Sequence, residues 1–239
     1  KDYFFWKGGK NMKKNYEILK YVSVIDEEKA KKQQEEIAIS ALNIANDAGF
    51  PTDYQDVYDH LFENPEYIRL FVLEKNSKVL KGFMIACELN GLYQTKLLHL
   101  HGVILHPSIQ GNGISRLLLN NAISMTNPDI LTAKTHNPRA FNSLASLACY
   151  GNEYYPNILR ETPKEILEIA RNNPFISGVD DELIVRDAYP DIKIQQTYRK
   201  EDLRLIFDRL NGRDAQAILV GLCPLIFEES ENVKKLVRK

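Results

Sequence analysis

Of the chain's five histidines, four stand close together: His99, His101, His106 and His136, with His60 apart from them. Imidazole is the side chain whose ordinary pKa lies nearest neutrality, so such a cluster offers general-base chemistry. His99 and His101 lie in a strand-like run over residues 96–105. Alternation along an extended strand puts both on one face with Val103 and Leu105. Three readings of the pair stay open. One is a base that helps to deprotonate an amine; another is a hydrogen-bonded sheet histidine. The third is a His-x-His metal pair completed by His136 or Asp129. No HxHxDH or HExxH spacing accompanies the pair, so no metal ligand is assigned. His106, beside Pro107, reads as a surface loop residue.

Directly after this strand the chain runs Leu105-His106-Pro107-Ser108-Ile109-Gln110-Gly111-Asn112-Gly113-Ile114-Ser115-Arg116 and enters an amphipathic segment. The first N–H groups of a helix have no internal acceptor, and the helix dipole adds partial positive charge there. Gly111 and Gly113 allow close approach of a bulky anion and a positive φ. The pattern predicts a phosphate cradle of main-chain amides near Gly111 to Ser115. It is not a Walker loop, because Gly-Lys-Ser/Thr is absent. A dinucleotide fingerprint would need a third glycine where Arg116 stands, and an acidic residue in the 131–134 region, which reads Leu-Thr-Ala-Lys.

The elements that must position these residues follow from periodicity. Strands are predicted over residues 16–24, 67–74, 79–89, 96–105 and 130–135, with the second and third joined by a turn at 75–78. Helices are predicted from Asp26 to just before Gly49, over 53–62, over 114–125 with Ile114, Leu117, Leu118, Ala122 and Met125 on one face, and over 138–149. Asn137 is the expected N-cap before Pro138. Beyond residue 157, Thr162-Pro163-Lys164-Glu165 reads as a capping box with Thr162 as N-cap of a helix over 163–171. Residues 183–189 and 216–222 read as a last antiparallel pair flanking a helix over 201–210. Three hairpin-type strands followed by strand-helix-strand-helix predict an α/β (α+β) fold with a mixed sheet.

Composition narrows the partners. In 239 residues, 31 Lys+Arg oppose 32 Asp+Glu, a formal net charge of −1. That balance argues against nucleic acid as partner. The most apolar stretch, residues 218–227, contains Gly221 and Pro224 and is far shorter than the about 20 residues of a membrane span. Three scattered cysteines (Cys87, Cys149, Cys223) form no disulfide framework, so a reducing, cytoplasmic setting is expected. Residues 1–15 read as an N-terminal extension or tag remnant, and residues 16–239 as a single domain whose C-terminal part, from about 158, is extended.

The stretch 105–118 resembles the acyl-CoA-binding motif of the GNAT N-acetyltransferase superfamily, Gln/Arg-x-x-Gly-x-Gly/Ala after a strand ending near Val-x-Pro. Here Leu105-His106-Pro107 ends the strand, and Gln110, Gly113 and Ser115 take the motif positions. Ser115 is small but polar where glycine or alanine is usual. The order of strands and helices is similar to the family over residues 16–157. The resemblance implies a mostly antiparallel sheet with a splayed parallel pair made by its fourth and fifth strands, and helices on both faces. It implies acetyl-CoA, or another short acyl-CoA, as co-substrate, held at its pyrophosphate by Gln110, Gly111, Asn112, Gly113, Ile114 and Ser115. Asn137 would lie beside the pantetheine arm, and a main-chain N–H near Ile104 and Leu105 would polarise the thioester carbonyl. Six residues before Leu105, where some members carry a glutamate base, stands His99; His101 is the second choice. The tyrosine that often follows the asparagine by seven residues, as acid for the leaving thiolate, is replaced by Leu144, which leaves Tyr150, or Tyr154 and Tyr155, to take that role.

The expected activity is transfer of the acyl group to a primary amine, on a small molecule or a protein, by direct attack in a ternary complex. An acyl-cysteine route through Cys149 lacks an assured basic partner. The alternatives are a silent acyl-CoA-binding sensor or partner-binding module on the same fold, and a His-x-His metalloprotein. The helix over 163–171 is assigned to the acceptor side, to a homodimer contact, or to the core.

Overall fold

Two sequence periods, of two and of 3.6 residues, account for the elements of the computed structural model. It describes residues 16–20, 27–50, 52–148, 153–176, 178–189, 201–211 and 213–222. In chain order these are β1 (Tyr16–Lys20), α1 (Glu27–Asp47), α2 (Tyr54–Phe62), β2 (Ile68–Glu74), β3 (Leu80–Asn90), β4 (Lys96–Leu105), α3 (Ile114–Thr126), β5 (Ile130–Thr135), α4 (Pro138–Ala145), β6 (Tyr154–Tyr155), α5 (Lys164–Asn172), β7 (Ile184–Val185), α6 (Glu201–Phe207) and β8 (Ala215–Gly221). The described strands follow the order β1-β2-β3-β4-β5-β8-β6, with β7 also pairing β8. The sheet is mostly antiparallel around a parallel β4/β5 pair. The residues group into two compact units, one of residues up to 87 with 100–126, the other of 88–99 with residues from 127 onward.

In the first unit, β1, β2 and β3 form an antiparallel meander, with Tyr16 opposite Glu74 and Ile68 opposite Ala86. The 75–78 turn closes through Lys78, at φ 57°, whose amide donates to the Glu74 carbonyl at 2.9 Å. Helix α1 buries Ala38, Ala41, Ile44 and Ala45 at helical spacing. Ala41 packs with Val57 and Leu61 of α2 and with Phe71, Phe83 and Ile85 of the meander. Asp53 caps α2 by accepting from the Asp56 amide at 2.9 Å. Helix α3 buries Ile114, Leu118, Leu119 and Ala122. Leu117 and Met125, expected in the stripe, are only half-buried, because Leu119 on the neighbouring position takes the interior instead.

In the second unit, β8 is the spine. It pairs antiparallel with β5, from Ile130 opposite Gly221 to Thr135 opposite Gln216, and also with β6 and β7. All seven of its residues are buried, which is why it reads as an unbroken apolar run rather than an alternating one. Ile166, Ile169 and Ala170 of α5 pack with Ile130, Tyr155, Ile176, Leu183, Ala217 and Leu219. Phe141 of α4 meets Phe207 of α6 edge-on, ring centroids 5.5 Å apart.

Several expectations need correction. Only Ile184–Val185 of the 183–189 run is strand, because Leu183 and Asp187 hold φ of 61° and 49° and break the extended path on both sides. Helix α4 ends at Ala145; the next turn tightens, with the Leu147 amide donating to Leu144 and the Ala148 amide to Ala145. Thr162 is not the N-cap of α5. Pro163 stays extended at ψ 149° and takes that position without a side-chain cap, so Glu165 falls one place short of a capping box. The two-residue strand β6 has no period long enough to be read from sequence. Residues 21–24 of the first predicted strand and residues 1–15 lie outside the described residues. No helix among the described residues is long and apolar enough to cross a membrane.

One close approach packs β3 against the end of β4. A Cβ at Gly82 of β3 would lie 2.5 Å from Leu105 Cδ2 and 2.9 Å from the Ile104 carbonyl oxygen. The methyl of Gly82→Ala must therefore push a backbone carbonyl of β4. We expect this substitution to lower the free energy of unfolding by about 1–3 kcal/mol, as overpacked sites do. Chemical denaturation of the two proteins measures it, and equal midpoints and slopes would refute the crowding.

Candidate active site

The strand-loop-helix junction of the first unit starts where β4 stops. His106 caps a short 3₁₀ turn at Pro107–Ile109, its Nδ1 accepting from the Ser108 amide at 3.2 Å and meeting the Ser108 hydroxyl at 2.7 Å. In the neutral ring this leaves the proton on Nε2, which faces Asp47 Oδ2 at 3.5 Å. Gln110 folds back, its side-chain amide donating to the Leu105 carbonyl at 2.8 Å. The glutamine thus ties the loop to the end of the strand. Gly111 and Gly113 both take positive φ, 74° and 71°. Space is not what selects Gly111, since an added Cβ would meet nothing within 4 Å; the left-handed backbone is. Gly111, Asn112 and Gly113 are exposed, Ser115 is half-buried, and Ile114 is buried as the first core residue of α3. The first bond of α3 runs from the Leu117 amide to the Gly113 carbonyl at 3.2 Å. Helix geometry gives the amides of residues 114–116 no partner inside the helix.

On the same unit, His101 of β4 is half-buried, with Nε2 3.3 Å from Cys87 Sγ and its ring centroid 4.4 Å from that of Tyr67. Burial, reinforced by the negative charge of Glu66, pushes the Cys87 thiol up to about 12. Near neutrality it is a protonated thiol and no nucleophile.

His99 belongs to the second unit and sits in a different environment. It is 1% exposed, with Nδ1 2.9 Å from Thr132 Oγ1, and stacks on Phe175 with centroids 4.9 Å apart. Asn173, also 1% exposed, donates to the same Thr132 oxygen at 2.9 Å. The Thr132 hydroxyl can therefore accept from Asn173 and donate to His99. Thr132, Asn173 and Phe175 carry no motif and sit far apart in sequence, so nothing in the chain announces that they surround His99.

Asn137 caps α4, its Oδ1 accepting from the Arg139 and Ala140 amides at 2.9 and 3.3 Å. Its own amide donates to Thr135 Oγ1 at 3.0 Å. Immediately before it, His136 packs edge-on against Tyr189, centroids 4.8 Å apart, and the Tyr189 hydroxyl donates to the Lys134 carbonyl at 3.3 Å. Burial holds His136 below the usual imidazole range and pushes Tyr189 up to about 12. Tyr150 lies outside the described residues, as does Cys149. Tyr155 is buried with its hydroxyl on Glu153, and Leu144 is buried in the core of the second unit. Among the described residues no three His, Cys, Asp or Glu side chains are grouped to hold a metal ion.

Residues 36–142 match the model of the acetyltransferase (GNAT) family. No curated protein matches the chain significantly. Solved structures similar to it include the ribosomal-protein-S18-alanine N-acetyltransferase of Escherichia coli, at 18% identity over 92% of this chain and 99% of that one, with a TM-score of 0.46. A GNAT family acetyltransferase of Staphylococcus aureus is 14% identical over 46% of this chain and 78% of that one, with a TM-score of 0.36. Over residues 36–142 the chain is similar to the acetyltransferase (GNAT) family.

Proposed function

We propose that the protein is an acyl-CoA-dependent N-acyltransferase that moves an acetyl, or another short acyl group, to a primary amine by direct attack. The observation that carries this reading is the junction after β4, where two left-handed glycines open directly onto the unpartnered first amides of α3. Such a surface fits a diphosphate, and the exposed Gly111 leaves room for one. Gln110, Gly111, Asn112, Gly113, Ile114 and Ser115 would hold the pyrophosphate, and Asn137 the pantetheine arm. Acetyl-CoA supplies the activated thioester; the chain supplies orientation and a proton acceptor.

An amine with a pKa of about 10.4 is neutral in only about one molecule per thousand near pH 7.4. A nearby imidazole speeds its deprotonation. Burial favours His101 over His99: His99 is enclosed by Thr132, Asn173 and Phe175, whereas His101 retains access to solvent. His101 is therefore the proposed base and His99 a residue that orients its neighbours. A main-chain N–H near Ile104 and Leu105 would stabilise the developing oxyanion, and Tyr150 keeps the role of acid. The buried Leu144, at the position where the family often has a tyrosine, favours a second reading as a sensor that binds acyl-CoA without turnover.

Acetyl-CoA at about 100 times its Kd should stabilise the protein by about 2.7 kcal/mol, read as a rise in Tm. Gly113→Val, which forces a β-branched residue into positive φ, should abolish most of that rise; a wild-type Tm indifferent to millimolar acetyl-CoA would defeat the proposal. Release of CoA thiol across an amine panel then separates enzyme from sensor, since binding without turnover leaves the sensor.

His101→Ala should reduce kcat/KM by about 10²–10⁴-fold, with the remaining activity rising toward alkaline pH as more amine is neutral. His99→Ala should lower Tm and leave the shape of the pH profile unchanged. The reverse outcome would transfer the base to His99.

A further inference from the structure

The segment from the end of β5 into α4 alternates between satisfied and unsatisfied polar groups. Thr135 and Asn137 are consumed locally, the hydroxyl accepting from the Asn137 amide and the Asn137 carboxamide capping α4. The intervening positions are not. Among the described residues, His136 Nδ1 is the buried side-chain nitrogen or oxygen with no hydrogen-bond partner. Lys134 is half-buried, and burial alone lowers its amine pKa, with no carboxylate acting on it. The buried cation Arg69, by contrast, is answered, donating to the carbonyls of Leu61, Asn64 and Tyr67. A half-buried ammonium and a buried ring nitrogen without partners are both costly; the ammonium needs an acceptor, and the ring nitrogen needs one in the tautomer that carries Nδ1–H.

Tyr189 touches both residues without answering either group. Its hydroxyl goes to the main-chain oxygen of Lys134, and its ring packs on His136. Burial keeps the phenol protonated, so it supplies no negative charge.

We propose that Lys134 and His136 form a binding site for a carboxylate carried by the acceptor amine, Lys134 Nζ pairing with the charge and His136 Nδ1–H donating to an oxygen. The proposal deepens the acyltransferase reading and rests on it for the word acceptor. The pyrophosphate of the acyl-CoA is assigned to the loop at residues 110–115 and its pantetheine arm is uncharged; its 3′-phosphate is the competing anion, and a preference for acid over amide that Lys134→Met removes is what distinguishes a carboxylate of the acceptor from it. The substrate class is then amines that bear a carboxylate, such as free amino acids or the terminus of a short peptide.

The test uses matched pairs, each free amino acid against its carboxamide, with acetyl-CoA and the full chain. CoA thiol release should favour the acid over the amide by about tenfold or more in kcat/KM, through KM. Lys134→Met should bring the two within about twofold by raising the KM of the acid. His136→Phe keeps the aromatic contact with Tyr189 while removing the orphan nitrogen. It should weaken acid binding and leave the Tm of the ligand-free protein equal or higher, whereas a clear fall in that Tm would mark His136 as structural and overturn the proposal. Equal use of acids and amides, or a preference that survives Lys134→Met, would also overturn it. Where no pair turns over, the same pairs are compared by Tm with and without CoA. Acid-selective stabilisation lost in Lys134→Met supports the site, and its absence for every pair refutes it. Failure of CoA itself to raise Tm counts against the acyltransferase reading and leaves the carboxylate comparison intact.

Discussion

A helix that starts abruptly has amides with nothing to bond, and the junction after β4 arranges for those amides to stay accessible. Three features combine to do this. Gln110 pins the loop to the Leu105 carbonyl, two glycines turn the backbone through left-handed conformations, and Ile114 anchors the first turn of α3 in the core. Each feature has an independent physical cause: a side-chain hydrogen bond, a φ that a Cβ resists, and apolar burial. Loss of any one would let the helix start drift, so the cradle depends on their agreement rather than on a single strong contact.

This junction was legible because every part of it is local. The strand ends at a proline, the glycines mark the turn, and the apolar period begins at Ile114, all within a dozen residues or so of sequence. The same holds for the 75–78 hairpin and for the cap at Asn137, whose bonds span two to four residues. The misreadings arose where local signals competed. Thr162 and Glu165 have the spacing of a capping box, yet Pro163 remains extended and displaces the helix start by one residue. Residues 183–189 have strand composition, but two left-handed residues confine the pairing to Ile184–Val185.

The histidines show what sequence period leaves out. His99 and His101 are two residues apart on one strand, and alternation treats them as equivalents. Their surroundings are set by distant parts of the chain. His99 is enclosed by Thr132, Asn173 and Phe175, a network whose polar atoms satisfy one another. His101 meets Tyr67 and a protonated Cys87 thiol. A buried network of mutual donors and acceptors stiffens a fold, and opening it to receive a substrate would strand its members. Long-range enclosure therefore separates a structural imidazole from a reactive one, and it cannot be counted off along a strand.

The same accounting bears on the end of β5. Buried polar groups in folded proteins are almost all paired, so the unpaired ones are informative in proportion to their rarity. Around His99 the chain recruited Asn173 from after α5 to complete the set. Around His136 it placed Tyr189, whose hydroxyl is spent on the Lys134 carbonyl, so Nδ1 is left without a partner among the described residues. A fold selected for stability alone would answer both histidines in the same way. Leaving the second open, two residues from an unpaired lysine, costs the ligand-free protein stability that a bound carboxylate would restore.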